Sequence, residues 1–336
     1  MLKRDVSMDG SAASGIIKYY FIINPNAGKR KEQRKLRQSV EKACGRAGIV
    51  PEIYETSRQG DGGDFLVRTS LAHSGDGVFL RFYFCGGDGT VLEAANAFMR
   101  LPEELRSGRV AAGIIPVGTG NDFLRNFGTA SDFLDIDRQL RAEIRFTDLM
   151  TYGGCYCANM FNIGFDCQVV VRVNSLRGRP YMTKKLAYPV GVAKTLVKLP
   201  HTRLRVEFDS GEVFEGRFLL VLAANGSYCG GGFRAASEAA PDDGIIDVII
   251  VKPVGRLRFI SIVGKYKKGK LLGTSLADKV LYLRKCKTVT FSSPGVDDVC
   301  VDGEIERFEK LSVGIAPKVF PFLVPQPASG DRSQRL

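Results

Sequence analysis

Over the first third of the chain, apolar runs bounded by Gly, Asn or charge alternate with stretches of helical periodicity. Strand-like runs at 16–24, 49–55, 78–85 and 110–117 are separated by helical patterns near 30–47, 64–73 and 90–99. Strand and helix taking turns predicts a layered, Rossmann-like α/β domain with a mainly parallel sheet, since parallel neighbours need a crossover. From about Asp148 the texture changes. Runs at 156–162, 203–208, 212–225, 245–251, 280–283, 288–291, 298–301 and 311–315 read as strands joined by Gly, Asp, Ser and Pro turns. Helical insertions are expected near 165–175, 183–198 and 255–270. This half predicts a β-rich, mainly antiparallel domain. The boundary is expected near 146–151, giving an N-terminal domain over 1–147 and a C-terminal one over 148–324, whose last strands are free to return to the first domain. Residues 325–336 read as a disordered polar tail, and the N-terminus as a short disordered arm.

At 336 residues the length favours two domains, and 44% hydrophobic with 25% charged residues is an ordinary globular balance. The longest apolar runs are broken well short of a membrane span, and no secretory apolar core is readable, so a soluble cytoplasmic protein is expected. Eight scattered cysteines without a CxxC pair fit reduced thiols better than disulfide staples. His73 and His201 are the only histidines and have no ligand-spaced partners, which removes the raw material for zinc sites and His-based triads. Carboxylates must therefore carry any chemistry. The net charge of +12 favours polyanionic partners. The excess is uneven: residues 172–205 hold nine Lys/Arg and no Asp or Glu, interleaved with Tyr181, Leu186, Tyr188, Val190, Leu196 and Val197.

Three Gly-containing turns each follow a predicted strand and precede a predicted helix: Asn24-Pro25-Asn26-Ala27-Gly28-Lys29, Gly86-Gly87-Asp88-Gly89-Thr90, and Pro116-Val117-Gly118-Thr119-Gly120-Asn121-Asp122. At the carboxyl ends of parallel strands such turns converge, and backbone N–H groups at helix starts suit a phosphate. Each alone reads as a tight connection. Together, with Asp88, Thr90, Thr119, Asn121 and Asp122 at the apices, they suggest a nucleotide site, although neither a P-loop nor a complete GxGxxG is present.

These residues resemble the diacylglycerol kinase catalytic domain superfamily, which includes bacterial diacylglycerol kinases and YegS-type lipid kinases, with sphingosine and ceramide kinases as relatives. Six segments carry the resemblance in order: NPNAGK at 24–29, GGDGTVLEAAN at 86–96, PVGTGNDF at 116–123, NIGFD at 162–166, PDDGIIDVIIV at 241–251 and VDGE at 301–304. The resemblance implies an N-terminal domain of the NAD kinase/diacylglycerol kinase type and an active site in the cleft between domains. It also implies an ATP site lined by residues 24–29, Thr56, Gly86–Thr90, Glu93 and Gly118–Asp122. Asp88 and Asp122 would face the phosphates through magnesium, because phosphoryl transfer needs charge neutralisation and alignment. The turn at 240–245 would be a magnesium loop with the Asp243 side chain and the carbonyls of Ala240 and Ile245 as ligands, Lys29 and Asp148 belonging to the charged network around it. Glu304, with Asp302 close behind, would be the general base. Asp166 would lie near the acceptor. In the first motif Ala27 stands where many relatives have Ser, which keeps the backbone cradle and loses a hydroxyl donor.

The family's acceptors are lipids with a free hydroxyl, so the basic segment 172–205, assisted by the helix at 255–270, is expected to contact an anionic membrane surface, with solvated helix faces as the bland alternative. The expected activity is transfer of the ATP γ-phosphate to diacylglycerol or a similar lipid alcohol. Kinase action on a soluble acceptor, as in the NAD kinases that share GGDG, is one alternative. A nonenzymatic lipid- or nucleotide-binding regulator is another. Nucleic-acid binding is not expected, for want of a reading motif. A homodimer is left open, since bacterial members of the resembled family form them.

Overall fold

In the computed structural model, residues 16–25, 30–118, 120–176 and 184–326 are described. The N-terminal arm up to residue 15, the tail from 327, Asn26–Lys29 and Thr119 lie outside them, as does 177–183 of the basic segment.

The N-terminal half runs β1 (Ile17–Ile23), α1 (Arg30–Arg46), β2 (Glu52–Glu55), α2 (Asp61–Ala72), β3 (Phe79–Gly86), α3 (Asp88–Met99), α4 (Glu103–Arg106), β4 (Val110–Pro116), α5 (Ala130–Leu134) and α6 (Ile136–Leu140). All four strands are parallel, in the order β2-β1-β3-β4. β4 is buried throughout and β3 nearly so, as expected of central parallel strands covered on both faces. One face packs Leu66, Val91 and Phe98 of α2 and α3, and the other packs Val40 and Cys44 of α1 and Ile136 of α6.

The chain continues through β5 (Glu143–Tyr152), β6 (Cys155–Cys157), β7 (Met160–Gly164), α7 (Phe165–Leu176), α8 (Lys184–Val197), β8 (Thr202–Phe208), β9 (Val213–Phe218), β10 (Leu220–Ala224), β11 (Ile246–Val251), α9 (Arg256–Lys267), α10 (Ser275–Val280), β12 (Leu281–Cys286), β13 (Thr288–Val301) and β14 (Glu304–Val324). The pairings among these strands are antiparallel. One apolar core, with Phe161, Val206, Val248 and Phe291, fills the space between the β-layers. A second, with Val169, Val173, Ile262 and Leu271, lies beneath α7, α9 and the approach to α10. β14 joins the halves: it pairs with β13 and β5 and then lies parallel to β4 through Phe322 and Ala112. Phe322 packs edge-on or tilted against Phe123, Phe127 and Phe133, so the last strand completes the N-terminal core.

The structure redraws several elements. The expected boundary at 146–151 lies inside β5. The run at 212–225 is two strands broken at Leu219, whose carbonyl accepts the Phe165 N–H at 2.9 Å and whose N–H donates to Val251 at 2.9 Å. The runs at 288–291 and 298–301 are one strand with an irregularity between Ser292 and Asp297. The turn at 118–122 leads into a single 3-10 turn, Phe123–Asn126, rather than an α-helix. The described cysteines are free thiols, and only Cys155 is exposed.

Gly164, at the junction of β7 and α7, has φ +89°, and a Cβ there would lie 2.5 Å from the Leu219 carbonyl oxygen. Both the left-handed backbone and the approach to main chain forbid a side chain. Gly164→Ala is expected to cost roughly 2–4 kcal/mol, seen as a lower urea midpoint with an unchanged slope.

Candidate active site

The carboxyl ends of β1, β3 and β4 bring Asn24 and Pro25, Gly86–Thr90, and Gly118 with Gly120–Asp122 to one edge of the parallel sheet. After β1, the Gln33 side chain of α1 donates to the carbonyls of Asn24 and Pro25 at 3.1 and 2.6 Å. The Thr56 N–H donates to Ile23 at 3.0 Å and fixes the chain after β2 beside that turn. After β3, Thr90 Oγ1 accepts the Gly87 N–H at 3.3 Å and caps α3. A Cβ on Gly118 would lie 2.9 Å from the Gly87 Cα, so the second and third turns touch main chain to main chain. Asn121 adopts φ 54° and donates from its side chain to the Gly118 carbonyl at 3.0 Å, which folds the third turn back on itself.

Asn24, Thr56, Gly62, Thr90 and Glu93 line a cleft of about 310 Å³. Glu93 accepts the Gly63 N–H at 2.8 Å and so ties α3 to α2. Asp61, which sequence reasoning missed, accepts from the Ser57 N–H at 2.7 Å, the Ser57 hydroxyl at 2.9 Å and the Tyr54 hydroxyl at 3.0 Å. The Ser57 backbone bond is the largest cause holding its carboxyl below the usual range. The Ser/Asp pair four residues apart before an apolar helix was its one sequence signal.

A second cleft, of about 350 Å³, lies between the domains. Asp88, Asp122, Asp166, Asp302 and Glu304 line it, and among the described residues no Lys or Arg does. Asp88 opens α3, and its Oδ1 accepts the N–H groups of Asp122 at 2.6 Å and Phe123 at 3.3 Å. Burial, then the Asp122 charge, pushes its carboxyl up to about 6. The Asp122 carboxylate accepts the N–H groups of Gly231 and Gly232 at 2.8 and 2.7 Å, and Arg125 lies 3.5 Å away. It therefore fastens the third turn to a loop of the C-terminal domain, and burial raises its pKa despite those bonds. Gly230–Gly232 carried no motif, so this contact was invisible in the sequence.

Asp302 is buried, with φ 46°. Its carboxylate accepts the N–H groups of Ala158, Asn159 and Met160 at 2.8, 3.1 and 2.8 Å, while its own N–H donates to Met160 at 3.1 Å. Glu304 begins β14 and is exposed in the cleft, its Oε1 3.7 Å from where a Cβ on Gly89 would stand. A C-terminal-domain carboxylate thus faces the start of α3. Asn162, also lining this cleft, is buried, and its Oδ1 accepts no hydrogen bond.

The turn at 240–245 wraps Asp148. Asp148 accepts from the Gly244 N–H at 2.6 Å and the Lys318 N–H at 2.7 Å, and its own N–H donates to Pro241 at 2.7 Å. Burial and then the Asp243 and Asp242 charges raise its pKa. Asp243 is exposed and accepts the Ile245 N–H at 3.0 Å; Ala240 and Ile245 flank it. Among the described residues no three His, Cys, Asp or Glu side chains form a group that could hold a metal by themselves. The hard oxygen donors around Asp88 nevertheless suit magnesium, which is usually held by one or two carboxylates together with phosphates and water.

Asp166 opens α7, receives the Tyr266 hydroxyl at 3.2 Å and is pushed up to about 6 by burial. It also lines an apolar cavity of about 50 Å³ beneath α9, bounded by Phe165, Val169, Phe259 and Ile262. Phe233 lines both this cavity and the cleft.

Two carboxylate-lined turns on a parallel sheet, facing a carboxylate from a β-sandwich, define a class, and comparison with known proteins gives its name. Residues 18–152 match the family described as the diacylglycerol kinase catalytic domain, and residues 159–324 match the YegS C-terminal NAD kinase beta sandwich-like domain. The chain is 27% identical over 285 residues to a diacylglycerol kinase of Bacillus subtilis, covering 84% of this chain and 88% of the relative. It is 32% identical over 231 residues to a protein of Chromohalobacter salexigens named as a YegS-like lipid kinase, covering 64% and 71%. A solved diacylglycerol kinase structure from Bacillus anthracis shares the fold, with a TM-score of 0.63 at 20% identity over 93% of this chain and 97% of that one. The chain belongs to the diacylglycerol kinase catalytic domain family, with a YegS-type C-terminal domain.

Proposed function

We propose that the protein is an ATP- and magnesium-dependent lipid kinase that phosphorylates the hydroxyl of diacylglycerol or a similar lipid alcohol. The observation that carries this reading is the placement of Glu304 opposite Gly87–Gly89, in a cleft that shares Asp166 and Phe233 with an apolar cavity. A soluble acceptor would have no use for that cavity.

On this reading ATP occupies the cleft of Asn24, Thr56 and Glu93, and its phosphates run past the start of α3, where backbone N–H groups and the helix dipole favour negative charge. Magnesium, held near Asp88 and Asp122, supplies charge neutralisation on the phosphates. A second ion would suit the turn at 240–245, where Asp148, Asp242 and Asp243 crowd negative charge. Glu304 accepts the proton of the lipid hydroxyl as its oxygen bonds to the γ-phosphorus and the bridging bond to ADP breaks. Asp302, with its oxygens occupied by backbone donors, positions the turn that carries Glu304. Among the described residues no helix is long and apolar enough to cross a membrane.

The test is transfer of labelled γ-phosphate from ATP with magnesium into a total lipid extract, with products identified by mass and Asp88→Ala as the blank. A labelled lipid absent from the blank supports the reading and names the acceptor. Label in a water-soluble product, or tight nucleotide binding without transfer, overturns it.

A further inference from the structure

Phe161 and Ile163 of β7 turn into the core between the β-layers, so strand alternation puts Met160 and Asn162 on the opposite side, where both line the interdomain cleft. Asn162 is 7% exposed, and its Oδ1 is buried without a hydrogen bond. β7 is a central strand here, paired with β10 and β13. Asn is a poor strand former, and a buried carbonyl oxygen without a donor destabilises the fold, so a valine would serve this position better. Packing alone does not account for the amide.

Its place in the fold is next to the chemistry. The register sets Asn162 opposite Cys300, two residues before Asp302 on β13, and α7 brings Asp166 four residues further along the chain. The same cleft holds Asp88 and Glu304 and the apolar side chains of Val170, Val173 and Phe233. Three neighbouring carboxylates are engaged by the protein itself: Asp302 by the N–H groups of Ala158, Asn159 and Met160, Asp122 by those of Gly231 and Gly232, and Asp166 by the Tyr266 hydroxyl. Asn159, another amide of the cleft, is fixed as well. Its Nδ2 donates to the Tyr228 carbonyl at 2.8 Å, and its Oδ1 is crowded by Gly226, where a Cβ would lie 2.2 Å away. The Asn162 oxygen is thus a neutral acceptor beside the reacting groups, and only a hydroxyl or an N–H can meet it.

We infer that Asn162 selects the acceptor by taking a hydrogen bond from a second donor, a hydroxyl or an amide N–H, on the carbon next to the hydroxyl that is phosphorylated. The inference rests on the lipid-kinase reading and deepens it by naming the substrate class, lipid alcohols with a second polar hydrogen. Monoacylglycerols and N-acylated amino alcohols belong to that class. Diacylglycerol is the poorer acceptor, because its neighbouring carbon carries an ester whose oxygens only accept, which sets lone pair against lone pair at Oδ1.

The experiment measures kcat/KM of the full chain, with ATP and magnesium, on three acceptors in detergent micelles. They are monooleoylglycerol acylated at an end carbon, the oleate monoester of trimethylene glycol, which lacks only the middle hydroxyl, and dioleoylglycerol. Wild type is expected to favour monooleoylglycerol over each of the others by roughly tenfold or more, the penalty for leaving a buried polar group unpaired. In Asn162→Val and Asn162→Ala the preference should shrink to about twofold or less, through loss on monooleoylglycerol. The alanine variant separates loss of the oxygen from crowding by the valine methyls. Without acceptor, Asn162→Val should melt at or above wild type, because it removes a buried, unmet oxygen. The acceptor-induced rise in melting temperature, with ATP omitted, reads the same preference without turnover: monooleoylglycerol should stabilise wild type more than the glycol ester does, and the variants no more. Equal rates on the three acceptors in wild type, or a preference that survives in both variants, overturns the inference. A valine variant that melts well below wild type assigns the amide to the fold and overturns it too. The two readings fail separately. A melting shift selective for monooleoylglycerol without phosphoryl transfer defeats the kinase and keeps Asn162, whereas transfer at equal rates keeps the kinase and defeats Asn162. Absence of both transfer and shift defeats both.

Discussion

Replacing Asp88 with alanine is expected to remove nearly all phosphoryl transfer, by roughly a hundredfold to a thousandfold in kcat, while the chain stays folded. Asp88 is the first residue of α3, and its Oδ1 holds the N–H groups of Asp122 and Phe123, so its loss frees the third turn as well as removing a charge. The conservative Asp88→Asn variant separates these roles, because an amide oxygen can still accept the Asp122 N–H and only the charge is lost. Its titration gives a second readout, free of catalysis. Burial raises the folded-state pKa from 3.8 to about 6, so between those values the folded chain retains a proton that the unfolded chain has released. The corresponding stability is fully present below the unfolded value and is lost as pH rises through about 6. Asn cannot titrate. Asp88→Asn should therefore melt above wild type at pH 7 in chelator, by on the order of 1 kcal/mol once partial exposure to water is allowed for. That advantage should vanish on acidification. Magnesium should raise the melting temperature of wild type by more than that of the variant, if Asp88 helps to hold the ion. Equal melting of the two proteins across pH would remove the buried charge from the account.

The α/β domain was legible in the sequence because its signals are local: buried runs such as 79–86, helices of 3.6 periodicity, and glycines at the turns. The β-rich half was harder. Its strands owe their limits to partners distant in sequence, as where Leu219 breaks a continuous apolar run by pairing with Phe165 and Val251, or where β14 crosses from one domain to the other. Short elements such as α4 and α10 are held by tertiary packing of Leu105, Ala277 and Val280, which leaves little periodic trace. The motifs singled out Asp88 and Glu304, which the fold brings to one cleft. The bonds from Gly231 and Gly232 to Asp122 were not legible, since a backbone N–H has no side-chain signature and the partners are 109 and 110 residues away. The two carboxylates of the DGE motif looked interchangeable as sequence. Their distinct surroundings arise only when β13 and β14 meet β7.

That difference yields the second large effect, a pair of variants with opposite signatures. Glu304→Gln should lower kcat by roughly 10²–10⁴, the range for loss of a general base, with nucleotide affinity and melting temperature near wild type. Glu304 is exposed and receives no backbone donor that would miss its charge. Asp302→Asn should lose activity and stability together. One oxygen of Asp302 accepts from Ala158 and the other from Asn159 and Met160, so an amide group set in either place turns an NH₂ toward an N–H donor. A buried clash of donors costs roughly 1–3 kcal/mol, and the left-handed backbone at φ 46°, which Asn tolerates well, contributes little to the loss. Urea titration beside kcat and pH–rate profiles resolves the pair. If Asp302→Asn kept its urea midpoint and lost only the acidic limb of the rate profile, the base would be Asp302, and Glu304 would be reassigned to orienting the acceptor.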